Sequence, residues 1–127
     1  MKNRLAIVSA LGLALSIAPA ALAGTHRTEQ VYVNTSYHYA YGSLGSARNS
    51  SDANQLIGCD VQGDGRVWAS CYARDAANHY VSCTSEDPTI VDAARAIRSA
   101  SYVYFQWSGS ACSLVLVSNN SMDELPR

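Results

Sequence analysis

Between residues 31 and 41 the odd positions read Val31, Val33, Thr35, Tyr37, Tyr39 and Tyr41, and the even ones Tyr32, Asn34, Ser36, His38 and Ala40. A period of two predicts one strand with its odd face inward, which sends Tyr37, Tyr39 and Tyr41 to the core beside Val31 and Val33. Tyr32, Asn34 and His38 are then the exposed set. Residues 42–54 are small and polar and predict a loop or a short helical turn. Strand-type residues resume at 57–62 and again at 66–73, and Gly63-Asp64-Gly65 between them supplies the positive φ values that a tight hairpin demands. The loop 75–79 leads into Tyr80-Val81-Ser82-Cys83-Thr84, and a loop of that length pairs Arg74 with Tyr80 and sets Cys71 opposite Cys83.

Helix signals follow. Asp87 can cap a helix whose first residue is Pro88, where the missing N–H costs nothing, and Ile90, Ala94 and Ile97 fall on one face of a helix over 88–100. Beyond it, the stretches 102–107 and 112–117 flank Ser108-Gly109-Ser110-Ala111 and predict a second hairpin, apolar on both faces and therefore central. The tail 118–127 has no periodicity and is expected to fray. The expected fold is α+β and β-dominated, with about six antiparallel strands and one helix packed over a sheet face or end.

Lys2 and Arg4 precede an uncharged run over 5–17, which breaks at Pro19 and reaches Ala21-Leu22-Ala23. This is the layout of a signal peptide cleaved after Ala23, leaving residues 24–127 as a single secreted or periplasmic domain. The uncharged run is short for a membrane span and a cleavage site follows it at once, so no stable span is expected after cleavage. Loss of Lys2 and Arg4 leaves only arginines as basic residues, outnumbered by ten acidic ones, which argues against a nucleic-acid partner.

Cys59, Cys71, Cys83 and Cys112 are an even number in a chain expected to be exported, which reads as two disulfides. Spacings of 12, 12 and 29 positions lack the close pairs of a zinc site. The pairing leans to Cys59 with Cys71 and Cys83 with Cys112. Cys71 with Cys83 is the rival that the hairpin register suggests.

Candidate chemistry is thin. Asp60, Asp64 and Gly65 look like a fragment of a calcium loop, but the further oxygen ligands are missing and the turn explains them better. His26, His38 and His79 could act as acid and base in a small hydrolase, with Glu29 or Glu86 as partner, yet each sits in a polar or tyrosine-rich segment. There is no G-x-S-x-G, H-E-x-x-H or phosphate-binding loop, so no catalytic, metal or cofactor residue is assigned. The eight tyrosines are the compositional excess. A row of them suits a binding face for a protein or a glycan, because tyrosine joins a large rigid surface to a polar tip. Tyr32, Asn34 and His38 are the candidate face. Asn34, Asn49 and Asn119 each open a glycosylation triplet, which matters only in a host that modifies exported proteins.

The stretch Tyr41-Gly42-Ser43-Leu44-Gly45-Ser46-Ala47-Arg48-Asn49-Ser50-Ser51-Asp52, with Gln55 and Ile57-Gly58-Cys59 after it, resembles small bacterial exported proteins without an assigned function. The Ser-Cys pairs at 70–71 and 82–83 and the Asp87-Pro88 helix start are similar too. The resemblance implies neither ligand nor activity. The leading expectation is a non-catalytic exported or envelope-associated module that acts by binding, and the alternative is a secreted hydrolase using a histidine and a carboxylate.

Overall fold

In the computed structural model, which describes residues 25–123, the tyrosine-rich segment folds back on itself. The expected leader, residues 1–23, lies outside the described residues. Strand β1 (Tyr32–Asn34) pairs antiparallel with β2 (Tyr39–Ser43), in the register Tyr32 to Tyr41, Val33 to Ala40 and Asn34 to Tyr39. The Asn34 side-chain oxygen accepts the Tyr37 backbone N–H at 2.9 Å, and His38 closes the turn at φ 55°. An odd position now pairs with an even one, so the inward set changes from odd to even across the turn. The single strand with its odd face inward is therefore corrected. Val31, Val33 and Ala40 are buried, Tyr37 is 78% exposed at the turn, and Tyr39 and Tyr41 stand beside Tyr32 on the other face.

Ser43 ends β2 and caps α1 (Leu44–Arg48), its hydroxyl accepting the Ser46 N–H at 3.0 Å. Strands β3 (Leu56–Gly63), β4 (Val67–Arg74) and β5 (Tyr80–Ser85) form the expected meander, with Gly65 at φ +96° and Arg74 opposite Tyr80. Asp87 caps α2 (Pro88–Arg95), accepting the Thr89 N–H at 2.8 Å. This helix stops short of residue 100. The Asn119 amide donates to the Ala96 carbonyl and the Ser101 hydroxyl accepts the Arg98 N–H, drawing the chain off the helical path toward β6 (Tyr102–Ser108). Strand β7 (Ala111–Ser118) returns alongside β6.

Among the described residues the seven strands make one sheet in the order β1-β2-β6-β7-β5-β4-β3, and two helices pack against it. The sheet is mixed: β5 and β7 run parallel, bridged at Thr84 and Ala111. The expectation of about six antiparallel strands and one helix is corrected on all three counts. The parallel seam arises because α2 carries the chain from β5 across to β6, and β7 then returns to fill the gap beside β5. The second hairpin is central, as its sequence predicts, but Leu114 and Leu116 of β7 are 40% and 49% exposed, so one of its faces is open.

Helix α2 covers the other face, packing on β7, β4 and β3. Ile90, Val91 and Ala94 from the helix join Ala69, Cys71, Ala73, Val103 and Phe105 in the core. Disulfides join Cys59 to Cys71 and Cys83 to Cys112. Cys71 lies opposite both Cys59 and Cys83, and the parallel seam settles the choice by bringing Cys112 to Cys83. The chain after β7 is held rather than frayed as far as Asp123: Arg27 donates from its backbone to Met122 at 2.8 Å and from its guanidinium to the buried Asp123 carboxylate at 3.0 Å. Residues 124–127 lie outside the described residues. No helix among the described residues is long and apolar enough to cross a membrane.

Candidate functional site

Two-residue alternation and cross-strand register together place the five tyrosines of β1, β2 and β6 side by side on the face away from α2. Tyr32 stands opposite Tyr41, Tyr41 opposite Tyr104, and Tyr104 opposite Leu116, while Tyr102 faces Ser43. Ring centroids lie 5.5 Å apart for Tyr32 and Tyr41, 6.1 Å for Tyr32 and Tyr39, 5.8 Å for Tyr39 and Tyr104, and 6.2 Å for Tyr41 and Tyr102. Cross-strand aromatic pairs of this kind stabilise a sheet and hold each ring against its neighbours. Tyr32 is the most open at 43% exposure, and the other four are half-buried.

Two amides fix the polar tips. Asn34 donates to the hydroxyls of Tyr32 and Tyr39, each at 3.4 Å, while its oxygen holds the Tyr37 N–H, so it ties the turn to the tyrosine row. Gln106 donates to the Tyr104 hydroxyl at 2.6 Å. Each of these three hydroxyls accepts a hydrogen bond and keeps its own proton to donate, with no acceptor for it among the described residues. Burial, followed by the nearby Glu29 carboxylate, raises the pKa of Tyr41 above the ordinary tyrosine value, and the same two causes raise Tyr102. Formal charge collects at one end of the face, where Arg27 lies 5.1 Å over the Tyr102 ring and pairs with Glu29 at 3.3 Å.

The structure brings Tyr32 and Asn34 together on this face and takes His38 away from it. His38 is exposed in the β1–β2 turn, with its ring 5.8 Å from Trp107, a residue that packs against the core on the opposite side of the sheet. Sequence reasoning missed Tyr39, Tyr41, Tyr102, Tyr104 and Gln106. The signal that could have found the first two is Asn34-Thr35-Ser36, a turn-forming run inside the tyrosine stretch.

The histidine-and-carboxylate pair has a different partner from those expected. Glu29 pairs with Arg27, Glu86 pairs with Arg66 at 3.0 Å, and His79 Nδ1 lies 2.9 Å from Asp75 Oδ2. Asp75 also accepts the His79 backbone N–H at 2.9 Å and donates its own N–H to the His79 carbonyl, which closes the β4–β5 hairpin. Its burial opposes the charged form, but the hydrogen bonds from the His79 ring and backbone outweigh it and hold the carboxyl below its ordinary range. His26 is exposed. Asp64 sits in the β3–β4 turn, and Asp60 on β3 accepts from the Tyr72 hydroxyl at 3.4 Å. A cleft of about 340 Å³ lies at the β5–β7 seam, lined by Arg66, Trp68, Thr84, Ser85, Glu86 and Ala111.

Comparison with protein-family models, with curated proteins and with solved structures returns no match for this chain.

Proposed function

We propose that the chain is the precursor of an exported, non-catalytic binding module whose contact surface is the tyrosine face of β1, β2 and β6. The observation that carries this reading is the contiguous row of five tyrosines on the sheet face that α2 leaves uncovered. Tyrosine supplies large contact area at low entropic cost, and an exposed aromatic array is a feature of recognition surfaces. Two disulfides are compatible with an oxidising compartment, and the charged, apolar and A-x-A segments of residues 1–23 supply the export signal. The partner is a protein or a glycan; the acidic balance disfavours nucleic acid.

The test is retention of the disulfide-intact protein on the cell-envelope fraction of the producing organism. Replacing Tyr32 and Tyr39 together by alanine should weaken retention about thirtyfold, the effect of losing a central anchor worth about 2 kcal/mol. Equal retention of parent and variant removes this reading. The hydrolase alternative draws on the Asp75–His79 pair, in which a buried carboxylate orients an imidazole. A hydrolytic activity abolished by His79→Gln, in a variant with parental circular dichroism, would replace the binding module.

A further inference from the structure

We infer that the tyrosine face takes a neutral polysaccharide, specifically a flat ribbon of equatorially linked pyranoses. The inference rests on the binding-module reading and names the ligand of that same surface. Three observations favour this occupant over a protein or an ionic ligand.

The first is charge. Tyr32, Asn34, Tyr39, Tyr41, Tyr104 and Gln106 have no formally charged side chain among them, and at the Tyr102 end Arg27 is tied up by two carboxylates, those of Glu29 and the buried Asp123. An anionic or cationic ligand finds no counter-charge across the centre of the face, whereas a neutral chain loses nothing by its absence. The second is the state of the hydroxyls. Those of Tyr32, Tyr39 and Tyr104 are oriented by Asn34 and Gln106 and retain a proton each to donate. Sugar hydroxyl and acetal oxygens, repeating along a chain, are acceptors of that kind. Preorganised donors lower the ordering cost of binding.

The third is shape. The rings are spread over three adjacent strands at spacings of 5.5 to 6.3 Å, and the described cavities lie elsewhere on the molecule. Protein partners gain most of their affinity from anchors seated in desolvated pockets, which such a surface does not provide. A pyranose with equatorial substituents presents axial C–H bonds on both faces, and the negative face of an aromatic ring attracts them. Leu114 and Leu116, exposed beside Gln106 and Tyr104, extend the same surface with apolar area for the ribbon.

The experiment is a depletion assay with the disulfide-intact protein on microcrystalline cellulose and on chitin, with polygalacturonate-coated beads as the anionic comparator. The protein should bind at least one neutral polymer, with affinity little changed between 0.1 and 1 M salt, as expected for an uncharged interface at roughly these ionic strengths. Tyr32→Ala and Tyr39→Ala should each weaken binding about tenfold or more, with the phenylalanine variants in between because they keep the ring and lose the hydroxyl. Tyr37→Ala, at the exposed turn, should bind like the parent. Failure to bind either neutral polymer, preference for the anionic beads, or affinity indifferent to the tyrosines would overturn the inference. If the tyrosine variants still lose envelope retention while the neutral polymers bind nothing, the glycan is wrong and the binding face stands. If they alter neither, both are wrong.

Discussion

Cys83 and Cys112 are bonded across the parallel seam of the sheet, with Cα atoms 5.0 Å apart, next to the bridged pair Thr84 and Ala111. The parallel pairing here is a single bridge, in which the Thr84 N–H donates to the Ser110 carbonyl at 3.0 Å. Elsewhere in the sheet, neighbouring strands share several registered pairs; β3 and β4 are matched from Leu56 to Gly63. The covalent link therefore reinforces the place where the half built of β1, β2, β6 and β7 meets the half built of β3, β4 and β5 with least hydrogen bonding. Cys59 and Cys71, by contrast, join strands already paired along their length.

That difference predicts an order of stability. Replacing Cys83 and Cys112 by serine should cost more than replacing Cys59 and Cys71, because the first bond closes 29 positions and the second 12. Chain entropy alone gives about 3.6 and about 2.8 kcal/mol, and the seam adds to the gap. Urea unfolding of the two double variants measures it, and a less stable Cys59/Cys71 variant would count against the weak joint.

Gly42 should not tolerate alanine. A Cβ there would stand 2.9 Å from the Val31 Cα, a backbone atom that cannot swing aside. Overpacking of this kind costs about 1–3 kcal/mol, so Gly42→Ala should lower the melting temperature by several degrees. An unchanged melting temperature would mean that β2 does not pack this closely against the segment leading into β1.

Acid should loosen the β4–β5 hairpin through Asp75. Its carboxyl is held below the ordinary value of 3.8 in the folded protein, so the unfolded chain takes up the proton first as pH falls. The contribution is complete above that ordinary value and is lost as pH drops through the lower folded one. Asp75→Asn should therefore be less stable than the parent near neutrality, and the two should converge in strong acid. Parallel stability curves from pH 7 to pH 2 would remove Asp75 from the acid response.

The export reading predicts a mature chain that begins at Gly24 and has no thiol reactive under denaturing, non-reducing conditions. N-terminal sequencing and intact mass, before and after reduction, check both. A protein retaining residues 1–23, or one with free thiols, contradicts it.

Several elements were legible because their signals are local. Gly63-Asp64-Gly65 and the loop 75–79 specify the meander, and the observed pairing of Arg74 with Tyr80 follows from loop length. Asp87 and Pro88 specify the start of α2 within two residues. Its end was not legible, since the groups that draw the chain away come from Ser101 and Asn119, the latter 23 positions beyond Ala96. The tyrosine stretch misled for a related reason. Alternation reads the same through Thr35 and Ser36 whether or not the chain reverses, and the reversal depends on Asn34 capturing the Tyr37 N–H.

By itself the sequence determined the β-dominated class, the β3–β4–β5 meander, the β6–β7 hairpin and the origin of α2, all written in turn residues, caps and alternation over a few positions. The tertiary structure decided which cysteines bond, that β7 lies parallel to β5, and that Tyr39, Tyr41, Tyr102 and Tyr104 share a face with Tyr32. Those outcomes depend on register between strands far apart in the chain. A helix covers one side of the sheet, and the side on which a residue lands follows from which partner its strand finds, a choice made by the burial of Val33, Ala40, Val103 and Phe105 together.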